Sequence, residues 1–410
     1  MKFHAKKRQE VLKQLNNSSI AFLCAGAEIK ETADEFYPFS VNRNFYYLTG
    51  IDEADVILVL IKGRKEEERL YIKKSDPLKE KWYAKTISRE EAIAKSGVQD
   101  VRYLDDLKAD MEKVIAEEGI VNVYVDDEED PIIHHGLDLL DSMPAFDEMD
   151  VYNVYEIVAK LRAVKEPEEI EEMRKAIHIT NEGIMNMLDH MKPGMKEYEL
   201  QAYYTFVLNS HQVPVSFTTI AASGINATVL HYSTNNSVMQ DNDMILFDLG
   251  VAKNRYCSDI SRTFPINGKY SEKQRLVYDI VLRTQKKVMD AVKPGVTIRQ
   301  LNNLTLDCYA KELKEIGLIE KGTYEEVANY YWHSIGHSLG LDTHDVGLGR
   351  DEPLRPGMVI TDEPGLYIAE WGIGVRIEDD ILVTEDGHEC LSEEIIKDPD
   401  AIEAYLASRK

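Results

Sequence analysis

Two aspartates lie in apolar, strand-like segments on either side of a short polar turn, in the stretch MILFDLGVAKNRYCSDISRTF at residues 244–264. This pattern predicts a β-hairpin with Lys253 and Asn254 as its two-residue loop. That register places Asp248 directly opposite Asp259. Directly opposed like charges destabilise a pair of strands, so a buried pair needs a shared proton, a basic partner or cations to neutralise it.

Further ionisable residues follow downstream. The stretch WHSIGHSLGLDTH is too rich in glycine for a stable helix and lacks the glutamate of an HExxH zinc motif, and it contains three histidines: His333, His337 and His344. Glu363 follows an apolar run in the sequence VITDEPG. Arg376 and Glu378 flank Ile377 in a predicted strand, and the two-residue period of a strand places both charged side chains on one face.

These acids, together with one imidazole, predict a metal site that is rich in oxygen ligands. Four carboxylates nearly balance two divalent cations, and such ligands suit Mn²⁺, with Co²⁺, Zn²⁺ or Fe²⁺ as alternatives. Two cations about 3.5 Å apart would also stabilise the paired hairpin aspartates, because a carboxylate can bridge both ions. The competing interpretation is five unrelated surface residues. It is disfavoured because the same pattern, an ionisable group within an apolar strand, recurs in both halves of the sequence.

The first third of the chain alternates strand and helix signals. Short apolar runs at residues 20–24, 56–61 and 120–125 predict buried strands. The capping box Ser88-Arg89-Glu90-Glu91 predicts a helix that ends near Gly97. We therefore expect an α/β domain at residues 1–153.

A change of character at Lys165-Glu166-Pro167, where a proline restarts a helix, marks the predicted domain boundary. A linker helix at residues 154–166 precedes it, and a second domain occupies residues 167–410.

The sequence of the second domain contains an internal repeat. Two amphipathic helices each stop at a Lys-Pro-Gly sequence, at residues 192–194 and 293–295. The apolar run before Asp248 is echoed by the run before Asp362 and Glu363. This repetition predicts an internal duplication that brings the acidic strand ends of two equivalent halves to a site between them.

Composition excludes several classes of protein. The 410 residues are 44% hydrophobic and 30% charged, which is typical of a globular protein. A formal net charge of -25 argues against nucleic acid or an anionic membrane as the partner. No apolar run approaches the roughly 18 residues of a membrane span, and we predict a cytoplasmic protein. The four scattered cysteines show neither metal nor disulfide spacing.

The chemistry-bearing motifs resemble those of the pita-bread metallopeptidases, family M24, which include aminopeptidase P, prolidase and methionine aminopeptidase. The resemblance covers about residues 160 to 390 and rests on FDLG, CSDISRTFP, HSIGHSLGLDTHDVG, TDEPGLYI and GVRIEDD. The first 150 residues, especially VNRNFYYLTGIDEADVILVL, resemble the creatinase-like N-terminal domain of aminopeptidase P and prolidases. This resemblance implies an α/β creatinase-like domain followed by an α+β pita-bread domain with an internal pseudo-twofold duplication.

The resemblance also implies roles for individual residues. The implied metal ligands are Asp248, Asp259, His337, Glu363 and Glu378. Asp248 would bind one ion, Glu363 and His337 the other, and Asp259 and Glu378 both. The implied catalytic residues are Glu363 as general base, with His231 and His344 acting on the substrate. The residues implied to bind substrate are His333, Tyr367, Arg376 and Trp82.

Trp82 matches a tryptophan that reaches a neighbouring subunit's site, so the resemblance implies a homodimer or homotetramer. The residues after it, Tyr83-Ala84-Lys85, depart from the usual glycine and arginine. The departure weakens this part of the match.

The predicted function is removal of the N-terminal residue from peptides with proline at the second position. Two cations lower the pKa of a shared water, and the resulting hydroxide attacks the peptide carbonyl. One alternative is a prolidase, which accepts only Xaa-Pro dipeptides. The other is a non-catalytic pita-bread module for protein interaction, which is disfavoured because all five ligand types are present.

Overall fold

The computed structural model divides the chain into two compact units, Met1–Arg162 and Ala163–Lys410. It describes residues 2–83, 85–128, 135–347 and 349–409. The helix that we expected at residues 154–166 spans Tyr155–Ala163.

The N-terminal unit is built on a six-stranded mixed sheet with the strand order β6-β5-β4-β1-β7-β8, and a small hairpin, β2-β3, lies outside it. Its strands are β1 (Ser19–Cys24), β2 (Lys30–Thr32), β3 (Glu35–Phe36), β4 (Ile57–Lys62), β5 (Glu66–Ile72), β6 (Asp100–Tyr103), β7 (Asn122–Val125) and β8 (Asp150–Asn153). Its helices are α1 (Lys2–Gln14), α2 (Arg43–Thr49), α3 (Arg89–Ser96), α4 (Leu107–Glu118), α5 (His135–Asp141) and α6 (Tyr155–Ala163).

The local signals in this unit produced the expected elements. The three apolar runs form β1, β4 and β7, which are buried on both faces and adjacent in the sheet. Ser88 caps α3 through the predicted capping box, and Gly97 ends the helix with a left-handed φ of 80°. The prediction of an α/β domain is therefore confirmed.

The C-terminal unit combines helices with several small antiparallel sheets. Its helices are α7 (Pro167–His190), α8 (Glu197–Ser210), α9 (Glu272–Met289), α10 (Ile298–Glu315), α11 (Tyr324–Val327) and α12 (Pro399–Ser408). Its strands are β9 (Ile220–Ser223), β10 (Met244–Leu249), β11 (Ala252–Lys253), β12 (Tyr256–Cys257), β13 (Ile260–Pro265), β14 (Val359–Asp362), β15 (Gly365–Ile368), β16 (Ile373–Arg376), β17 (Asp379–Val383) and β18 (His388–Cys390).

The predicted duplication is visible in the order of these elements. Helix α7 ends before Lys-Pro-Gly and is followed by α8, and α9 ends before the second Lys-Pro-Gly and is followed by α10. Gly194 and Gly295 adopt left-handed φ values of 88° and 89°, respectively. Each helix pair is followed by an antiparallel strand pair, β10 with β13 and β14 with β17. The two halves thus repeat one arrangement.

The predicted hairpin exists, but its predicted register is wrong. The loop residues are Asn254 and Arg255, both at positive φ, and Lys253 pairs with Tyr256. A two-residue loop of this type needs positive φ at both central positions and favours asparagine at the first of them, so Asn254 begins the loop, which lies one residue later than expected. Asp248 consequently pairs with Ser261 and not with Asp259.

No helix among the described residues is long and apolar enough to cross a membrane.

Candidate metal centre

Four acids come from the ends of strands in both halves of the C-terminal unit. Asp248 lies in β10, Asp259 immediately precedes β13, Glu363 follows β14 and Glu378 immediately precedes β17. The strand period places Asp259 on the same face as Ser261, the pairing partner of Asp248. The two aspartates are therefore diagonal neighbours on one face, which is a less repulsive arrangement than direct opposition.

Backbone hydrogen bonds join the two halves at this point. The amide of Glu378 donates to the carbonyl of Ser261 at 3.0 Å. The hydroxyl of Ser261 donates to Glu378 Oε2 at 2.7 Å and accepts from Arg376 Nε at 2.7 Å. Ser261 therefore links the charged face of the second half to the hairpin of the first.

His337 is positioned by main-chain pairing between its loop and β14. The amide of Thr361 donates to the His337 carbonyl, and the amide of Glu363 donates to the Ile335 carbonyl, both at 2.9 Å. This approach requires glycine at position 336, because a Cβ there would lie 2.1 Å from the carbonyl oxygen of Thr361. The loop thus sets His337 beside Glu363 through the backbone.

The imidazole of His337 presents one nitrogen to the acids. Its Nδ1 donates to the carbonyl of Ser338 at 3.0 Å, which leaves the lone pair of Nε2 available. Nε2 lies 3.4 Å from Asp259 Oδ2 and 3.6 Å from Glu363 Oε1. One ligand atom each from Asp259, His337 and Glu378 lies within 4.8 Å of the other two. This is a suitable spacing for ligands around a cation.

Electrostatics mark these acids as unbalanced. Burial, followed by the negative charges of neighbouring acids, raises the pKa of Asp259 and of Glu378 well above the usual range. Burial also raises the pKa of Glu363 to about 8, although Arg376 opposes the shift. Burial lowers the pKa of His337 to about 4, so its ring is neutral near neutral pH.

Asp248 is only half satisfied. Its Oδ2 accepts from Arg376 Nη2 at 2.6 Å, whereas its buried Oδ1 has no hydrogen-bond partner among the described residues. A buried acceptor without a donor costs free energy unless a cation or water completes it. The orphaned oxygen, the raised pKa values and the free Nε2 of His337 together fit a site for divalent cations.

A chain of hydrogen bonds connects three of the predicted substrate-binding residues. Burial lowers the pKa of His333 to about 3, and its Nδ1 donates to the carbonyl of Ser334 at 2.7 Å. Its Nε2 therefore accepts from the hydroxyl of Tyr367 at 2.8 Å. Tyr367 in turn accepts from Arg376 Nη1 at 3.0 Å. These side chains form one rigid group next to Asp248.

The other predicted residues lie at varying distances from this group. The exposed His344 packs against His337, with ring centroids 4.3 Å apart. His231 is also exposed, and it lies close enough to His333 to contribute to lowering the pKa of that ring. Trp82 belongs to the N-terminal unit and is 74% exposed. Ala84, close to it in the departing sequence, lies outside the described residues.

Sequence reasoning missed two polar residues that organise the site. Ser261 joins Arg376 to Glu378, and its signal was available, because it lies two residues after Asp259 on the same strand face. Thr361 accepts from the amide of His337 at 3.1 Å and donates to Glu363 Oε1 at 3.3 Å. Nothing in the local sequence pattern distinguishes Thr361 from an ordinary strand residue.

Comparison with known protein families agrees with this geometry. The sequence model of metallopeptidase family M24 matches residues 171–385, which contain all five candidate ligands. The chain belongs to metallopeptidase family M24. The aminopeptidase P N-terminal domain matches residues 4–124, so the predicted pairing of the two domain types is confirmed.

Relatives of this M24 member share its full length. The Xaa-Pro aminopeptidase of Escherichia coli (strain K12) is 34% identical, covering 99% of this chain and 98% of the relative. A solved structure of a candidate aminopeptidase P from Bacillus anthracis is 44% identical, with a TM-score of 0.96 over 100% of this chain and 99% of that one. The structure of E. coli aminopeptidase P with the inhibitor Pro-Leu is 32% identical, with a TM-score of 0.91 over 100% and 98%. The predicted pita-bread fold is confirmed by these matches.

Proposed function

We propose that this M24 metallopeptidase is an Xaa-Pro aminopeptidase, which releases the N-terminal residue from peptides with proline at the second position. The observation that carries the proposal is the convergence of four acids and one neutral histidine from both halves of the unit. Three of the acids, Asp259, Glu363 and Glu378, have pKa values raised by burial. The specificity for proline is supported by the names of the full-length relatives.

The five ligands would hold two divalent cations. Asp248 would bind one ion, His337 and Glu363 the other, and Asp259 and Glu378 both. The close approach of His337 to Asp259 and Glu363 supports this division of the ligands. Asp248 is paired with Arg376 and not with His337, which agrees with placing it on the other ion. We propose Mn²⁺, because carboxylate-rich sites suit it. When bound, such cations lower the pKa of water and polarise a carbonyl oxygen.

The remaining steps fall to the chain's own side chains. Glu363, whose Oε1 accepts from the hydroxyl of Thr361 at 3.3 Å, would accept and return a proton as the general base. His344, beside His337, and His231, beside His333, can donate hydrogen bonds to a substrate carbonyl and to the charge that develops on it. The group formed by His333, Tyr367 and Arg376 would shape the substrate pocket.

The experiment that tests the activity compares substrate lengths. We expect Mn²⁺-loaded enzyme to cleave Xaa-Pro-Xaa tripeptides and longer peptides, with kcat/KM at least comparable to that for Xaa-Pro dipeptides. Hydrolysis of dipeptides without turnover of tripeptides would assign the chain as a prolidase. Release of methionine from Met-Ala peptides, with no action on either proline substrate, would overturn the proline specificity.

Metal stoichiometry is a separate test. We expect elemental analysis of the Mn²⁺-supplied protein to give two ions per chain. A value near zero would contradict the metal-dependent mechanism, and a value near one would contradict the dinuclear assignment.

We also propose a homodimer or homotetramer. The support is Trp82, a large aromatic side chain that is 74% exposed in the single chain. Light scattering at working concentration should give at least twice the chain mass, and a fully active monomer would rule the assembly out. The cytoplasmic location stays a prediction from the sequence.

A further inference from the structure

Glu197 is a buried carboxylate that the proposed chemistry does not use. It is the first residue of α8, and its side chain is fully buried. The amide dipoles at the start of a helix stabilise a negative charge there. A charge in such a position still needs direct hydrogen bonds, and their donors show what Glu197 holds in place.

Five hydrogen bonds reach the two oxygens of Glu197. Oε1 accepts from the amide of Ser223 at 2.7 Å, from its hydroxyl at 2.6 Å and from Asn226 Nδ2 at 3.0 Å. Oε2 accepts from the hydroxyl of Tyr232 at 2.8 Å and from the amide of Ser237 at 3.0 Å. All five donors lie in residues 223–237, which we call the His231 segment.

The His231 segment has further hydrogen bonds near its C-terminal end. Near the C-terminal end, Asn235 has a left-handed φ of 47° and donates to the carbonyl of Thr219 at 2.8 Å and to Gln201 Oε1 at 3.0 Å. His231 itself is exposed, and it directly precedes Tyr232. Tyr232, which together with Leu230 packs against an apolar cluster, is held beside His231 by its hydrogen bond to Glu197.

The same segment packs directly against the strand that carries Arg376. A Cβ on Gly374 of β16 would lie 2.1 Å from the carbonyl oxygen of Ala227, so the two backbones touch. Movement of the segment would therefore change the position of His231 relative to His333 and Arg376. The anchors of the segment thus determine where the imidazole lies.

We infer that Glu197 is a positioning residue, which holds the His231 segment so that the imidazole of His231 faces the substrate. The inference rests on the proposed function for its catalytic part. Glu197 acts through its five hydrogen bonds and does not contact the substrate. Its contribution to turnover should therefore depend on the presence of His231.

The conservative substitution Glu197→Gln tests this dependence. The amide keeps one acceptor oxygen but presents an NH₂ group to two donors, of which the Ser237 amide cannot reverse its role. We expect kcat to fall about 10- to 100-fold, since small misplacements of catalytic groups have effects of that size. Metal content and KM should change little.

A double-mutant cycle with His231→Ala separates positioning from general damage. If Glu197 acts through His231, adding E197Q to H231A should lower kcat by less than about twofold. An equal fall in both backgrounds would overturn the inference. Tyr232→Phe removes a single donor and should show the same dependence on His231 with a smaller fall in kcat, so the cycle remains informative even if E197Q folds poorly.

Hydrogen exchange tests the anchoring without activity. The amides of Ser223 and Ser237 should exchange at least about tenfold faster in E197Q, because each loses a charged acceptor. Unchanged exchange there would overturn the anchoring. If the wild-type protein cleaves no Xaa-Pro peptide, the proposed function fails while the exchange result still decides the structural part.

Glu169→Gln is the matched control. Glu169 is also buried near the start of a helix, where it accepts from the hydroxyl of Tyr256 at 3.0 Å, but it lies outside the His231 segment. We expect E169Q to lower the melting temperature without faster exchange in residues 223–237. If E169Q accelerated exchange there as much as E197Q, the effect would be a general loss of stability, and the inference would be wrong.

Discussion

Glu378 and Asp379 are adjacent in sequence and both fully buried, yet their environments are opposite. Burial and the charges of Glu363 and Asp248 raise the pKa of Glu378 well above its usual range. Burial also acts to raise the pKa of Asp379, but the cations of Arg262 and Lys397 outweigh it and bring the pKa below its usual range. Too little positive charge lies near Glu378 to balance its carboxylate, whereas Arg262 and Lys397 balance that of Asp379.

The partners of Asp379 show what a structural acid looks like. It accepts from Arg262 Nη2 at 2.7 Å and from Lys397 Nζ at 2.8 Å. Ser392 and Gln285 also donate to it, at 2.6 and 2.5 Å, respectively. Because the chain itself neutralises Asp379, this acid needs nothing from solution. The acids on the other side, Asp259 and Glu378, have raised pKa values instead, and they are among the proposed metal ligands.

The largest expected effect on activity follows from replacing Asp259, one of the acids whose pKa is raised. Asp259→Asn should lower kcat/KM by more than about 100-fold, since loss of even an outer-shell partner costs 10- to 100-fold. The metal-free variant should unfold at a temperature equal to or higher than the wild type, because a repelled buried charge is gone. Kinetics, elemental analysis and calorimetry check this. A destabilised variant would mean that Asp259 is a structural acid like Asp379.

The reverse outcome is expected for Asp379→Asn. Breaking a buried ion pair costs about 3–5 kcal/mol, because Arg262 and Lys397 lose their common counter-ion. Denaturant unfolding should show this loss. The control is Glu393→Gln, which removes a mostly exposed partner 3.2 Å from the same Lys397 and should change stability by less than about 1 kcal/mol. An equal loss of unfolding free energy in the two variants would mean that Asp379 is not a stabilising structural acid.

The histidines sharpen the comparison further. His231→Ala and His344→Ala should each lower kcat by about 100-fold or more with metal content intact, because both are proposed to act on the substrate. His337→Ala should instead lose metal, because its Nε2 faces the acids. Metal analysis of the three variants decides the assignment, and metal loss in either of the first two would mean that the wrong histidine was assigned as a ligand.

The smallest expected effect lies in the N-terminal unit, where burial raises the pKa of Asp126 to about 6 although Asn44 donates to it at 2.8 Å. The unfolded chain loses this proton near pH 4 and the folded chain near pH 6, so stability falls between these values and stays lower above them. Asp126→Asn should add about 2–3 kcal/mol at pH 8 and almost nothing at pH 4. Unfolding measured at both pH values checks this, and an equal gain at both would exclude titration as the cause.

The sequence indicated the four acidic candidate ligands because each lies in or beside an apolar strand segment, whereas His337, in a glycine-rich stretch, was chosen through the family resemblance. It was not sufficient to place the hairpin loop, because the preference for asparagine at the first loop position, filled by Asn254, outweighed the symmetry of the flanking apolar runs. The difference between Glu378 and Asp379 was also hidden. Arg262 and Lys397 are remote in sequence from each other, and only the fold brings both to one carboxylate.

Glu197 illustrates the same limit in a different form. Its five donors come from an irregular segment 26 to 40 residues away in the chain. Neither helical periodicity nor strand alternation describes such a segment. A glutamate at the first position of a helix is common because it favours the helix dipole. The position of Glu197 at the start of a helix therefore explains its presence locally, and nothing in the sequence indicates that it also binds the His231 segment.

The main-chain pairing between the His337 loop and β14 has a consequence for metal exchange. Because backbone hydrogen bonds fix the separation of the main chains at His337 and Glu363, these two proposed ligands cannot spread apart to suit a larger ion unless those hydrogen bonds break. Ions of different radius must be accommodated by rotation of the side chains alone. If both side chains bind metal as proposed, the centre should therefore discriminate between metals by size.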